Sequence, residues 1–103
     1  MQLDWAAVPL LQGVRGLAEQ GFVTGASERN WAGYGADVVL PGGFAAVDQA
    51  LLSDPQTSGG LLVSCAPAAL NAVLAIFTRH GFAQAAVVGR MAAAGGGSRL
   101  VVS

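Results

Sequence analysis

The chain contains no lysine, one cysteine and one histidine, and its acidic and basic side chains together make up only 11% of the residues. Each shortage closes off some chemistry. Without lysine there is no Walker-type phosphate loop and no Schiff base to a carbonyl substrate. Cys65, alone in the sequence, forms neither an internal disulfide nor a cysteine-built zinc cluster. The five basic residues Arg15, Arg29, Arg79, Arg90 and Arg99 are scattered, and the net charge is −1. No basic stripe therefore follows a nucleic-acid backbone, and no nucleic-acid partner is expected. No apolar run is long enough to span a bilayer, so no membrane association is expected. The opening Met1-Gln2-Leu3-Asp4-Trp5 lacks the basic start and apolar core of a signal peptide, and a cytoplasmic location is the default expectation.

What is present is apolar. A 53% hydrophobic content in 103 residues excludes a disordered chain and suits one domain with one modest core. So low a charged fraction leaves much apolar surface, which implies a covering partner, either another domain or another copy of the chain.

The element signals alternate. Met1 to Trp5 reads as the end of a strand. Leu10, Val14 and Leu17 mark one face of a helix from about Pro9 to Gln20, closed by Gly21 at the position where a left-handed residue ends helices. The stretch Thr24 to Asn30 is polar and reads as a turn-prone loop. A strand is expected over Ala36 to Leu40 and a short helix over Ala45 to Leu52. The continuous apolar run Leu61-Leu62-Val63-Ser64 suits a strand covered on both faces. From Pro67 onward, Leu70, Val73, Leu74 and Phe77 give the strongest helical stripe, closed by Gly81. Ala85 to Val88 reads as a strand, Ala92 to Gly97 as a turn and Leu100 to Val102 as a final strand. The class is α/β (α+β), a mixed sheet with helices packed on one face.

Few residues suggest chemistry. Cys65 lacks a neighbouring base in sequence and reads as buried filler. His80, at a helix end, reads as a cap rather than a metal ligand. Trp31 and Tyr34 read as core or interface anchors. The acidic residues show no spacing suited to a two-metal site or paired-carboxylate hydrolysis. Two loops remain. One runs from Thr24 to Asn30, and the other is Asp54-Pro55-Gln56-Thr57-Ser58-Gly59-Gly60. Pro55 stops the preceding helix, and Gly59 and Gly60 remove side chains where something approaches closely. Turn chemistry alone leaves two roles open for the second loop, a plain helix-to-strand connection or a loop facing an anion.

The run Ser53-Asp54-Pro55-Gln56-Thr57-Ser58-Gly59-Gly60-Leu61-Leu62-Val63-Ser64 closely resembles the signature of the selenide, water dikinase (selenophosphate synthetase) family. Phe22-Val23-Thr24-Gly25-Ala26-Ser27-Glu28-Arg29-Asn30-Trp31 resembles a second motif of that family's C-terminal domain. The spacing between the two and the Leu70-to-Phe77 helix also fit, and the resemblance covers almost the whole chain, thinning after Arg90.

The resemblance implies a fold similar to the C-terminal domain of aminoimidazole ribonucleotide synthetase, truncated at its N-terminus, with residues 1–103 as a single partial domain. The family makes selenophosphate from selenide, ATP and water with magnesium, releasing AMP and phosphate. Its glycine-rich N-terminal loop, reactive cysteine or selenocysteine, lysine and metal-binding aspartates have no match here, and neither does the Asp-Val-Thr-Gly-Phe-Gly motif that opens its C-terminal domain. Cys65 lies downstream of the Gly59-Gly60 motif and does not correspond to the reactive cysteine. The implied role is a supporting half of an ATP site. Thr24, Gly25, Ser27 and Asn30 in one loop, with Asp54, Thr57, Ser58 and Gly59 in the other, are expected to shape the phosphate end of a cleft. No catalytic residue and no metal ligand is expected in the chain, and ATP and Mg2+ belong to the full-length enzyme. The implied partners are an N-terminal catalytic domain and further copies of the chain. An autonomous, non-catalytic binding or assembly module that keeps the fold is the alternative.

Overall fold

The computed structural model describes residues 1–93 and 99–103. Its centre is a mixed four-stranded sheet in the order β2-β4-β1-β3. The strands are short: β1 is Gln2–Leu3, β2 Val38–Val39, β3 Gly89–Arg90 and β4 Leu100–Val102. β4 runs parallel to both β1 and β2, whereas β3 is antiparallel to β1. Four helices complete the α+β architecture: α1 Val14–Glu19, α2 Gly25–Tyr34, α3 Ala46–Leu52 and α4 Leu70–Arg79. Among the described residues no helix is long and apolar enough to cross a membrane.

The core is small. Leu3 and Val102 meet in adjacent strands, where Leu3 is 7% and Val102 3% exposed, and among the described residues Ala18 of α1 is the other buried apolar residue. The radius of gyration is 14.8 Å, against about 13 Å for a compact domain of this length. Leu11, Leu61, Leu62, Phe22 and Phe82 are exposed, so the apolar surface expected from the low charge is there.

Several elements follow their local chemistry closely. Gly21 and Gly81 both have φ near +89°. In each case the glycine N–H bonds the carbonyl three residues back and the next residue's N–H bonds the one five back, Phe22 to Leu17 and Phe82 to Phe77. That is the Schellman arrangement, which satisfies the last carbonyls of α1 and α4. At the end of α4 it is sealed by an edge-on contact of Phe77 and Phe82, 6.3 Å between ring centres. His80 occupies the C-cap position there, as expected.

Other expectations fail for identifiable reasons. The first helix covers only Val14–Glu19, because Gly13 takes φ +82° and blocks helical continuation from Pro9. Thr24 to Asn30 is not a loop. It is the N-cap and first turns of α2, since the Thr24 hydroxyl accepts from the Ser27 N–H at 3.3 Å. The residues that suggest a turn are the same ones that cap helices. The strand expected at Ala85 to Val88 is displaced to Gly89–Arg90. The strand expected at Ala36 to Leu40 shrinks to Val38–Val39 behind a 3-10 turn at Gly35–Asp37. Leu61 to Ser64 forms no strand and is exposed rather than doubly covered, and Cys65 beside it is exposed rather than buried. The turn expected at Ala92 to Gly97 lies mostly outside the described residues.

The helices are tied to the start of the chain by Asp48 on α3. Its Oδ1 accepts from Trp5 Nε1 at 2.8 Å and from the Arg15 guanidinium of α1. Trp5 also packs edge-on against Phe44, 5.8 Å between centres. Partial burial of Asp48 favours its neutral form, but the hydrogen bonds from Arg15 and Trp5 and the Arg15 charge outweigh it and hold the carboxyl below its ordinary value. The sign follows directly. A carboxyl with a depressed folded pKa adds stability above its unfolded value of about 3.9 and loses it as pH falls through the folded one. Arg15 is 45% exposed, so solvent screens the pair and Asp48→Asn should cost about 1 kcal/mol at pH 7. The measurement is thermal melting from neutral to acid pH. The gap between wild type and variant should narrow as pH falls through the depressed pKa of Asp48, and a pH-independent gap would count against the ion pair.

Candidate functional site

The two motif segments meet at the start of α2 and the end of α3. Thr24 organises the junction. Its hydroxyl caps α2 through the Ser27 N–H, lies 3.1 Å from the Ser27 hydroxyl, and donates to Asp54 Oδ1 at 3.4 Å. Asp54 Oδ2 in turn accepts from Gln56 Nε2 at 3.0 Å. One turn further along α2, Asn30 Nδ2 donates to the Ser53 carbonyl at 3.0 Å. Ser53 is itself fixed, since its hydroxyl donates to the Gln49 carbonyl at 2.8 Å and the residue is only 3% exposed. Ser27, at 4% exposed, is buried on the facing side. The two segments are clamped by the Asn30 amide on the Ser53 carbonyl and the Thr24 hydroxyl on Asp54, with the buried serines satisfied within their own segments.

Sequence order explains the clamp. α3 ends at Leu52, and Pro55 holds Asp54 out of the helical region. The Ser53 carbonyl, one of the last of that helix, has no partner within the helix and is free to take the Asn30 amide. A shallow groove of about 250 Å³ runs along the same junction, bordered by Thr24, Gly25, Ser27, Glu28, Trp31 and Gln49. A side chain at Gly25 would meet the Arg29 guanidinium at 3.6 Å, an ordinary van der Waals contact.

The glycine loop behaves differently. Thr57, Ser58, Gly59 and Gly60 are exposed. The loop is wound tightly on itself: the Gly59 N–H bonds the Gln56 carbonyl at 3.4 Å, and a side chain at Gly59 would strike Gln56 Cβ at 2.5 Å. Gly60 has open space around it. Of the eight expected site residues, Thr24, Gly25 and Ser27 border the groove, and Asn30 and Asp54 brace its two walls. Thr57, Ser58 and Gly59 stand outside it, on the exposed turn that follows.

The charges around the junction are two carboxylates, Glu28 and Asp54, against the one guanidinium of Arg29. The electropositive groups at the junction are therefore the N-terminus of α2 with its partial positive charge, the exposed loop amides and the hydroxyl hydrogens. Among the described residues no group of three or more His, Cys, Asp or Glu side chains stands close enough to hold a metal ion. The oxygens of Asp54 are already occupied by Thr24 and Gln56. The residues present do not fit magnesium. Ser53 and Gln56 are the site residues that motif chemistry missed. Their signal was available, since a serine directly after a helix and a glutamine two residues past an aspartate are both local hydrogen-bonding partners.

A mixed sheet, four helices and two clamped motif segments define an α+β domain with a polar helix junction at one side. The chain belongs to the family described as AIR synthase related protein, C-terminal domain, whose match covers residues 4–102. It is 55% identical over 92 residues to a selenide, water dikinase of Pseudomonas straminea, covering 89% of this chain and 26% of that protein. It is 57% identical over 90 residues to one of Burkholderia pseudomallei (strain K96243), covering 87% and 25%. With the selenide, water dikinase of Rhizobium meliloti (strain 1021) the identity is 50% over 103 residues, all of this chain and 29% of that protein. The chain thus spans roughly a quarter of the length of the curated relatives it matches.

Proposed function

We propose that this chain is the C-terminal portion of an ATP-dependent selenide, water dikinase, which makes selenophosphate from selenide, ATP and water and releases AMP and phosphate. The observation that carries the reading is identity of half or more, over nearly the entire chain, with proteins of that name. The clamp between the two motif segments supports a specific role within it. Asn30, Thr24 and Asp54 hold the Thr57–Gly59 turn in place, and that turn presents hydroxyls and amides to the phosphate end of the nucleotide. The groups that run the reaction, and the donors for magnesium, come from an N-terminal domain. The reading includes a cytoplasmic location and assembly into a homo-oligomer, and it makes the 103-residue chain inactive alone.

Two variants in a full-length dikinase carrying this domain test the role. Thr57→Ala removes a hydroxyl at the exposed turn, and Asn30→Ala removes the brace behind it. Both should lower ATP consumption and selenophosphate yield together, by about 10-fold to 100-fold, as expected when a positioning element slips. Unchanged rates in both would remove the loops from the reaction. Submicromolar ATP binding by the isolated chain would instead favour an autonomous binding module.

A further inference from the structure

We propose that Gln56 is the positioning residue of the Thr57–Gly59 turn. Its side chain ties the turn to Asp54 and, by lying across Gly59, sets the shape in which the turn meets phosphate. The proposal rests on the reading of this turn as part of the dikinase site.

The turn is anchored from one side. Among the described residues, Thr57, Ser58 and Gly60 make no hydrogen bond, and Gly59 makes one, to the Gln56 carbonyl. The backbone from Leu61 to Cys65 beyond it makes none either. Whatever fixes the turn to the domain therefore comes through the residues before it. Pro55 has no N–H to offer. Gln56 supplies the link: its Nε2 donates to Asp54 Oδ2 at 3.0 Å, while Asp54 Oδ1 takes the Thr24 hydroxyl at the head of α2.

Gly59 reports the same arrangement. It is not among the glycines with positive φ, so its backbone conformation suits any residue. What excludes a side chain there is Gln56 itself, whose Cβ and Oε1 would stand 2.5 and 3.1 Å from the added Cβ. An exposed glutamine ordinarily keeps its rotamer freedom. Here one end of the side chain is bonded to Asp54 and the rest is packed over a glycine.

The test uses a full-length dikinase carrying this domain. Gln56→Glu keeps the shape of the side chain and removes its donor, so two carboxylates face each other. Repulsion raises the pKa of the introduced carboxyl. The link is present below that pKa, through a shared proton, and is lost as pH rises through it. Glu28 and Arg29 of α2, the other charges at the junction, are common to both proteins. Turnover should be about tenfold below wild type near about pH 8, with the deficit shrinking toward about pH 5.5. A merely loosened fold would show no such profile. Gly59→Ala should also cost about tenfold, and Gln56→Gly with Gly59→Ala no more than Gln56→Gly alone, because the overlap leaves with the side chain. Without substrate, limited proteolysis at residues 57–60 should be faster in Gln56→Glu and in Gly59→Ala. Unchanged proteolysis in both, a pH-independent deficit, or costs that multiply in the double variant would each overturn the proposal, even where Thr57→Ala slows the reaction. Faster proteolysis with wild-type turnover in Gln56→Glu and in Thr57→Ala would instead remove the turn from the reaction, and the proposal with it.

Discussion

Gly89→Ala should lower the melting temperature by more than 10 °C, about 3 kcal/mol for a domain of this size. Gly89 pairs with Leu3 across the antiparallel β1–β3 ladder. A Cβ built on Gly89 falls 2.0 Å from the Gln2 carbonyl oxygen, 3.0 Å from its carbon and 3.1 Å from Leu3 Cα. All three are backbone atoms, so no side chain can swing aside to relieve the overlap. Either β3 withdraws from the sheet or β1 is pushed away from it. The second is the costlier outcome, because β1 also pairs with β4 and carries Leu3, one of the few buried apolar residues. The Asp4 N–H bond to the Val88 carbonyl at 2.9 Å continues the same ladder and should fail with it. Thermal melting with hydrogen exchange at Asp4 and Leu3 measures the loss. A shift under about 4 °C would mean that the strands adjust without separating.

Asn30→Asp should be the most damaging single-atom change at the helix junction. The replacement keeps size and shape but turns the amide nitrogen that donates to the Ser53 carbonyl, at 3.0 Å, into an oxygen. Two oxygens then face each other beside the buried Ser53. The loss of a partly buried hydrogen bond plus an unpaired acceptor is worth about 2–3 kcal/mol. Repulsion and burial both raise the pKa of the introduced carboxyl, and the protonated acid can again donate to Ser53. The variant should therefore regain stability relative to wild type as pH is lowered, because protonation relieves the introduced carboxyl, whereas at position 48 protonation weakens the wild type. In a full-length dikinase the same substitution should reduce activity at least as much as Asn30→Ala. A variant as stable as wild type at pH 7 would mean that Asn30 contributes nothing to holding the segments together.

Local chemistry made the helices readable and left most of the sheet obscure. The apolar stripe from Leu70 to Phe77, the helix before Pro55 and the glycines at 21 and 81 report on one turn of backbone at a time, and the structure follows them. The strands are two or three residues long, too short for an alternating pattern, and β1 and β4 come from opposite ends of the chain. Leu61 to Ser64 shows the limit most clearly. Its composition is that of a doubly covered strand, yet burial depends on what lies against it, and here nothing described does. At the candidate site the residues Thr24 and Asn30 to Asp54 were identifiable from motif resemblance, while the manner of their meeting was not. A threonine and an aspartate 30 positions apart become partners only because α2 and α3 pack against each other, and no local rule encodes that. Ser53 stayed unnoticed for the same reason, since its carbonyl matters more than its side chain.

The pairing of β1 with β4 also sets when this sheet can form. The ladder joins Gln2 to Val101 and Leu3 to Val102 in parallel register, and the Met1 amino group donates to the Arg99 carbonyl at 2.9 Å. Closing a loop of that length costs about 4 kcal/mol of chain entropy before any strand contact repays it. This long-range pairing raises the contact order, and folding should be slow beside a helical bundle of the same size. A ribosome-bound nascent chain holding residues 2–3 has no central strand to pair with until residues 100–102 clear the exit tunnel. The chemistry that starts α2 and α4 is local and available early, whereas the β1–β4 ladder waits for residues 100–102.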